Sequence, residues 1–237
     1  MKLREFSETP VVVVKKHLNP LLWSNGVLNP EIAKKLVEIA LAFESFVGVD
    51  LPVKDYTITG SNANFTWTEH SDLDLHIIIP GVPDDQAREL YSSKKALWAE
   101  QHDITIKGLP VEVYVQGADE PHHSTGVYSL MHGEWIVKPK KVKPQVDDAA
   151  ISAKKEHVIH AIEKAMISRD LEQLRTVKEK VVKMRKAGLE RAGEWSTENL
   201  VFKILRNLGL IDRMVEMIRE LEDAELSLET IQPGLLD

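Results

Sequence analysis

Residues Tyr56–Pro80 read YTITGSNANFTWTEHSDLDLHIIIP, and this stretch decides how the rest of the chain is read. An apolar run, Tyr56-Thr57-Ile58-Thr59, breaks at Gly60-Ser61, and eleven residues after Ser61 two acids alternate, Asp72 and Asp74, before Leu75-His76-Ile77-Ile78-Ile79. Strand side chains repeat every second residue, so Asp72 and Asp74 are expected on one face, attached about 6.6 Å apart. Carboxylates so spaced can share two divalent ions held about 3.5–4 Å apart, the arrangement used for in-line displacement at phosphorus. Gly60-Ser61 offers backbone that a ligand can approach, amides turned toward oxygen, and a hydroxyl. Taken singly, a Gly-Ser pair is an ordinary turn and an Asp-x-Asp is a solvated strand end or a helix cap. The order of strand, Gly-Ser, short helical segment and acidic strand is what joins them.

Working outward, Asn29, Pro30 and Glu31 form a helix start, and Ile32, Leu36, Ile39, Ala40, Phe43 and Val47 follow helical spacing up to Gly48. Residues 56–59 are expected as the first strand, 61–69 as a loop and short helix, and 72–79 as the acidic strand. Phe65 and Trp67 either pin that loop or touch a base. His76 shares the acids' face as a hydrogen-bonded core histidine or, less simply, a metal ligand. Gly81–Asp84 turns the chain into a helix with Ala87, Leu90, Tyr91, Lys94, Leu97 and Trp98 on one side. Ile104–Ile106 and Val111–Val115 are strands, the second placing Glu112 and Tyr114 opposite Val111, Val113 and Val115. A carboxylate in an apolar strand is costly unless paired or bound to a cation, so Glu112 is the third candidate acid, with a solvent-facing edge glutamate as the plain alternative. Val127–Leu130 and Trp135–Val137 suggest a hairpin, followed by the basic run 138–143. Val11–Val14 fits a buried strand, and the adjacent His122 and His123 cannot easily chelate one ion.

The Gly-Ser pair, nine intervening residues and Ser71-Asp72-Leu73-Asp74-Leu75 resemble the signature of the DNA polymerase β-type nucleotidyltransferase superfamily, and the hairpin with its basic run resembles small phage and bacterial members. That resemblance spans about residues 30–116. It implies an α+β fold, a small mixed-sheet nucleotidyltransferase core (1–144) followed by a C-terminal helical bundle (145–237). It also implies a Mg²⁺-dependent transfer of a nucleoside monophosphate from an NTP to an acceptor hydroxyl, with pyrophosphate released. Asp72, Asp74 and Glu112 would be the catalytic acids and the ligands of two Mg²⁺ ions, which Mn²⁺ can replace. Gly60 and Ser61 would grip the β- and γ-phosphates, Asn62 and Asn64 would add donors or cap the short helix, Tyr128 would stack on a base or pack in the core, and Lys138 or Lys140 would meet phosphate or belong to a solvated linker. Glu112 would also take the acceptor's proton. Many members carry an arginine just after Gly-Ser, whereas this chain has no Arg or Lys between Ser61 and Asp74. Lys107 or Lys138 are left to meet the triphosphate charge. A non-catalytic nucleotide-binding or assembly module that retains the fold is the alternative reading.

The remaining bounds are compositional. The chain has 237 residues, 43% hydrophobic and 28% charged, as in ordinary globular proteins. Without cysteine, disulfides and thiolate metal sites are excluded. No apolar signal core or spanning segment is read in it, so a cytoplasmic protein with no membrane partner is expected. The net charge is −7, yet residues 151–191 hold eleven Lys/Arg against six Asp/Glu. A basic helix there would favour the 3′ end of an RNA as acceptor, or it is a solvated face with interleaved pairs. Helical pattern is expected to run almost continuously over 146–187, to break at Gly188 and Gly193, and to resume in one final helix over 197–223, giving a two- or three-helix bundle. Oligomeric state has no signature in this pattern.

Overall fold

A computed structural model describes residues 14–69, 71–120, 124–141 and 146–227. Among them the chain separates into two compact units, residues 14–141 and 146–227. The boundary expected at 144/145, Val11–Val13 and the His122-His123 pair lie outside the described residues; Val14 belongs to no strand. The architecture is α+β, with one mixed sheet and six α-helices among the described residues.

The first unit begins with a two-residue hairpin, β1 (Trp23–Ser24) and β2 (Val27–Leu28). Helix α1 (Pro30–Val47) follows, started by the Asn29 side chain accepting from Glu31 N and ended by Gly48 in the left-handed region. Its six apolar residues read from the sequence are the buried ones. Strand β3 (Asp55–Thr59) is buried throughout, and Tyr56 ties it to α1 by donating to Glu44 Oε1 at 2.7 Å. After a single 3₁₀ turn at Ser61–Ala63, shorter than the helical segment expected to residue 69, comes β4 (Leu73–Ile79). Asp72 directly precedes it. Helix α2 (Asp85–Gln101) is capped by Asp84. Its inward anchor is Trp98, edge-on to Phe43 and Phe46 at 5.5 and 5.2 Å, while Leu97, expected on the buried side, is 42% exposed. Short β5 (Thr105–Ile106), β6 (Leu109–Gly117) and the β7 (Val127–Ser129)–β8 (Glu134–Val137) hairpin complete a sheet ordered β5-β6-β4-β3-β7-β8.

Within this sheet only β4 and β6 run parallel. Their register sets Asp74 beside Glu112 and His76 beside Tyr114, while β3 sets Thr59 beside Asp74. Leu73, Leu75, Ile77, Ile58 and Val113 line the opposite face and are buried in the core with α1. Period-two alternation therefore sorts each central strand into an apolar face and a polar face.

The second unit holds four helices where two or three were expected: α3 (Asp148–Ser168), α4 (Leu171–Ala192), α5 (Thr197–Asn207) and α6 (Leu210–Leu226). The pattern read as continuous over 146–187 is cut at Arg169, whose left-handed backbone (φ 51°) is followed by Asp170 capping α4. The single final helix is cut at Gly209 (φ 65°). Gly188, read as a break, sits inside α4, where a Cβ would stand 2.6 Å from Glu198 Cβ and 2.7 Å from Ser196 Oγ. It is a close-packing position against the start of α5. Gly193 does end α4. Ile162, Leu174, Val201, Leu205 and Met214 form the interior. Among the described residues no helix is long and apolar enough to cross a membrane.

Candidate active site

The three acids read from the sequence come together on the polar face at one end of β4 and β6. Asp74 is fixed by its neighbour across the strand pair. A Cβ built on Gly60 would lie 1.7 Å from Asp74 Oδ2, so the carboxylate rests on the bare glycine backbone. Gly60 also has φ 71° and ψ −159°, a region open essentially to glycine alone. Two independent demands, conformation and clearance, thus place glycine at this point. The Gly60 amide donates to Ser124 Oγ at 3.1 Å, so a second loop braces the turn.

Glu112 lies beside Asp74 on the parallel strand. Its Oε2 accepts from Lys95 Nζ at 2.8 Å and from Tyr114 Oη at 2.6 Å. Burial alone would push the Glu112 carboxyl up; the hydrogen bonds from Lys95 and Tyr114, the Lys95 charge and a hydrogen bond with Asp72 together hold it below the usual carboxylate range. That bond places Asp72 next to Glu112. The Tyr114 phenol is driven far above its ordinary range by burial and then by the charges of Glu112, Asp74 and Asp72. One phenol therefore senses all three acids. Lys95 also sits over the Tyr114 ring, 3.4 Å from its centre, and His76 stacks on that ring at 4.8 Å while Nδ1 meets Gln116 Oε1 at 2.6 Å. His76 is thus the hydrogen-bonded histidine of the plainer reading.

Lys95 is the residue the sequence reading missed. It lies on α2, seventeen positions before its partner, and carries a positive charge into the cluster that the missing loop arginine would otherwise have left without one. Only a helical register linking Lys95 to the β6 edge would have flagged it, and α2 shows a weak apolar stripe.

Several expected ligand contacts turn out to be structural. Asn62 is fully buried; its Nδ2 donates to Ser71 O at 3.2 Å and Asp72 O at 2.8 Å, and its Oδ1 accepts from Asn19 Nδ2 at 2.8 Å. With both amide hydrogens and the carbonyl engaged, it rivets the Gly-Ser turn to the start of the acidic strand instead of offering donors to a ligand. Asn64, also buried, donates to Thr125 Oγ1 and accepts from Phe65 N at 2.6 Å. Tyr128 is 4% exposed and wedged edge-on between Trp23 and Trp135, at 5.0 and 5.2 Å, so its ring is a core ring with no face for a base. Lys138 is exposed on a groove described below, and Lys107 occupies the left-handed turn between β5 and β6. Ser61 is half-buried in the 3₁₀ turn beside Gly60.

Carboxylate oxygens are the donor set that Mg²⁺ prefers, and Mg²⁺ is commonly held by one or two carboxylates with substrate phosphate and water completing the octahedron. Among the described residues no three His, Cys, Asp or Glu side chains form a group that could hold a metal ion on its own. Asp72, Asp74 and Glu112 share only the donor chemistry, carboxylate oxygen, that Mg²⁺ takes.

No family model matches the chain, and no curated protein matches it. A solved structure, the STING-associated CdnE c-di-GMP synthase from Capnocytophaga granulosa, is similar at 12% identity over 84% of each chain with a TM-score of 0.23. A likeness that loose carries no weight for this chain's chemistry.

Proposed function

We propose that the chain is a nucleotidyltransferase that moves a nucleoside monophosphate from an NTP to an acceptor hydroxyl. The observation that carries this reading is the seat of Asp74: its carboxylate is pressed onto Gly60 and stands in register with Glu112, with Asp72 close enough to act on the Glu112 carboxyl. Concentrating three acids on one face is destabilising unless a cationic ligand repays the repulsion. Asp72, Asp74 and Glu112 would hold Mg²⁺, which when bound neutralises triphosphate charge and lowers the pKa of the acceptor hydroxyl. In the transfer the acceptor oxygen bonds to the α-phosphorus as the bond from that phosphorus to the bridging oxygen breaks, and pyrophosphate leaves with the electron pair. The turn at Gly60-Ser61 gives the leaving phosphates a close approach to backbone and a hydroxyl donor. Glu112, held ionised by Lys95 and Tyr114, is a poor proton acceptor and a dependable charge; the hydroxyl proton passes to water. Lys95 supplies positive charge at the edge of the cluster.

A second reading is favoured by the same lysine. Its ammonium already neutralises Glu112, as expected of a nucleotide-binding module without turnover. Incubation with each labelled NTP, Mg²⁺ and total RNA separates the two. Label on RNA, on a small acceptor or on protein, abolished in Asp72→Ala/Asp74→Ala, supports transfer; NTP binding without transfer to any acceptor overturns it in favour of the module.

A further inference from the structure

The first unit has a second recess built from other side chains. Residues 16–26, Phe65 and the stretch 135–141 enclose a groove of about 450 Å³, within the size range of small-molecule pockets. Three lysines line it, Lys16, Lys138 and Lys141, together with the half-buried rings of Phe65 and Trp135, and no carboxylate is among its described lining residues. In a chain of net charge −7, an acid-free basic recess is a local reversal of the surface.

The rings are held in place. Trp135 stacks on Trp23 at 4.6 Å and 23° between planes, and its Nε1 donates to Gly26 O at 2.8 Å. Phe65 is fixed through its backbone, its carbonyl accepting from Lys15 N at 2.7 Å and its amide donating to Asn64. Lys141 lies over the Phe65 ring, 5.0 Å from its centre. A simple anion would use the lysines and leave the rings idle; an apolar ligand would use the rings and leave the lysines idle. A ligand that is flat, aromatic and anionic uses both.

We propose that this groove seats a nucleotide unit of a single-stranded nucleic acid, its base against Trp135 and Phe65 and its phosphates on Lys16, Lys138 and Lys141, by the combination of stacking and charge that non-sequence-specific single-strand binders use. The inference does not rest on nucleotidyl transfer, because it concerns binding without triphosphate or divalent cation. It places the polyanion on the first unit, where the sequence reading had placed it on helix 151–191.

The test is fluorescence anisotropy of labelled oligo-U and oligo-dT of equal length with the full chain, at low and moderate salt without Mg²⁺. Binding that weakens with salt, falls tenfold or more in Lys138→Glu/Lys141→Glu and falls at least threefold in Phe65→Leu supports the site. A preference for oligo-U or for oligo-dT names the strand, and either supports it. The surface lysine pair Lys178→Glu/Lys186→Glu on α4 is the comparison, and circular dichroism confirms that each variant folds. The proposal is overturned if no single strand binds at low salt, if the α4 pair weakens binding as much as the groove pair, if Phe65→Leu leaves binding unchanged, or if a free mononucleotide binds as tightly as the strand.

Discussion

Charge is handled in opposite ways in the two units. In the first, beside ordinary pairs such as Arg88–Glu120 and Lys95–Glu112, like charges are gathered at two places: three acids at the end of β4 and β6, and lysines around a groove with no acid among its described lining residues. In the second, opposite charges are interleaved. Arg175 reaches Glu172 and Glu222, Lys183 reaches Glu179, and Lys154 and Arg191 both close on Glu198. Gathering like charges works against folding and is kept where something else gains from it; interleaving them is neutral to mildly stabilising. Four of the eleven cations in residues 151–191, Lys154, Arg175, Lys183 and Arg191, thus have a carboxylate beside them. Position relative to acids, not number of lysines, distinguishes the two regions.

The sharpest way to break this comparison is at the acids. Asp72→Ala/Asp74→Ala is expected to lower nucleotidyl transfer by on the order of 10³-fold or more while folding is retained, as followed by labelled-NTP assays beside circular dichroism. Gly60→Ala comes next: the strained backbone alone costs about 1–3 kcal/mol, and displacement of Asp74 adds to it, so denaturant unfolding should show a clear loss of stability and transfer should fall with it. Unchanged stability would remove the glycine argument.

Lys95→Met tests the cation in the acid cluster. With its cation gone, burial dominates and the Glu112 carboxyl moves up. Because the pair is part-exposed, stability at neutral pH is then expected to fall by no more than about 1 kcal/mol, and added Mg²⁺ should raise the melting temperature of the variant more than that of the native chain. Equal Mg²⁺ responses would show that Glu112 and a cation do not meet.

In the second unit Glu198 is the exception among the pairs, its side chain 10% exposed between two cations. Burial would raise its carboxyl, but the hydrogen bond from Lys154, a backbone hydrogen bond and the charges of Lys154 and Arg191 hold it below the ordinary value of 4.5. A folded-state value below the unfolded one gives stability that is fully present above the unfolded value and is lost as pH falls through the folded one. Glu198→Gln should therefore cost about 1–2 kcal/mol at neutral pH and shed the acid-side decline, the two unfolding curves converging at low pH. Lys183→Ala, breaking an exposed pair, should shift the melting temperature by no more than about 1–2 °C; a larger loss would mean that interleaved pairs matter more than argued here.

What was legible in the sequence depended on the range over which each feature is decided. Helix α1 was legible end to end because its cap, periodicity and terminal glycine are all local. The breaks at Arg169 and Gly209 were not, because the apolar spacing continues across them and a one-residue left-handed turn leaves little trace in composition. Polar loop residues were the hardest to assign. Asn62 and Asn64 have the chemistry of ligand donors, and only their burial against Asn19, Asp72 and Thr125 shows that those donors are used internally. Tyr128 was misread for the same reason, since a ring's usefulness for stacking depends on what already covers it.

By itself the sequence determined the two-residue spacing of Asp72 and Asp74, the glycine ahead of them and a third acid alternating with apolar residues in a later strand, because period-two geometry needs only neighbouring residues. Tertiary structure alone decided that Lys95 from α2 would meet Glu112, that Lys138 and Lys141 would gather around rings from residues 65 and 135, and that Lys154 and Arg175 would meet Glu198 and Glu222. Those are encounters between residues far apart in the chain, and electrostatic energy depends on distance in space, which no spacing along the sequence records.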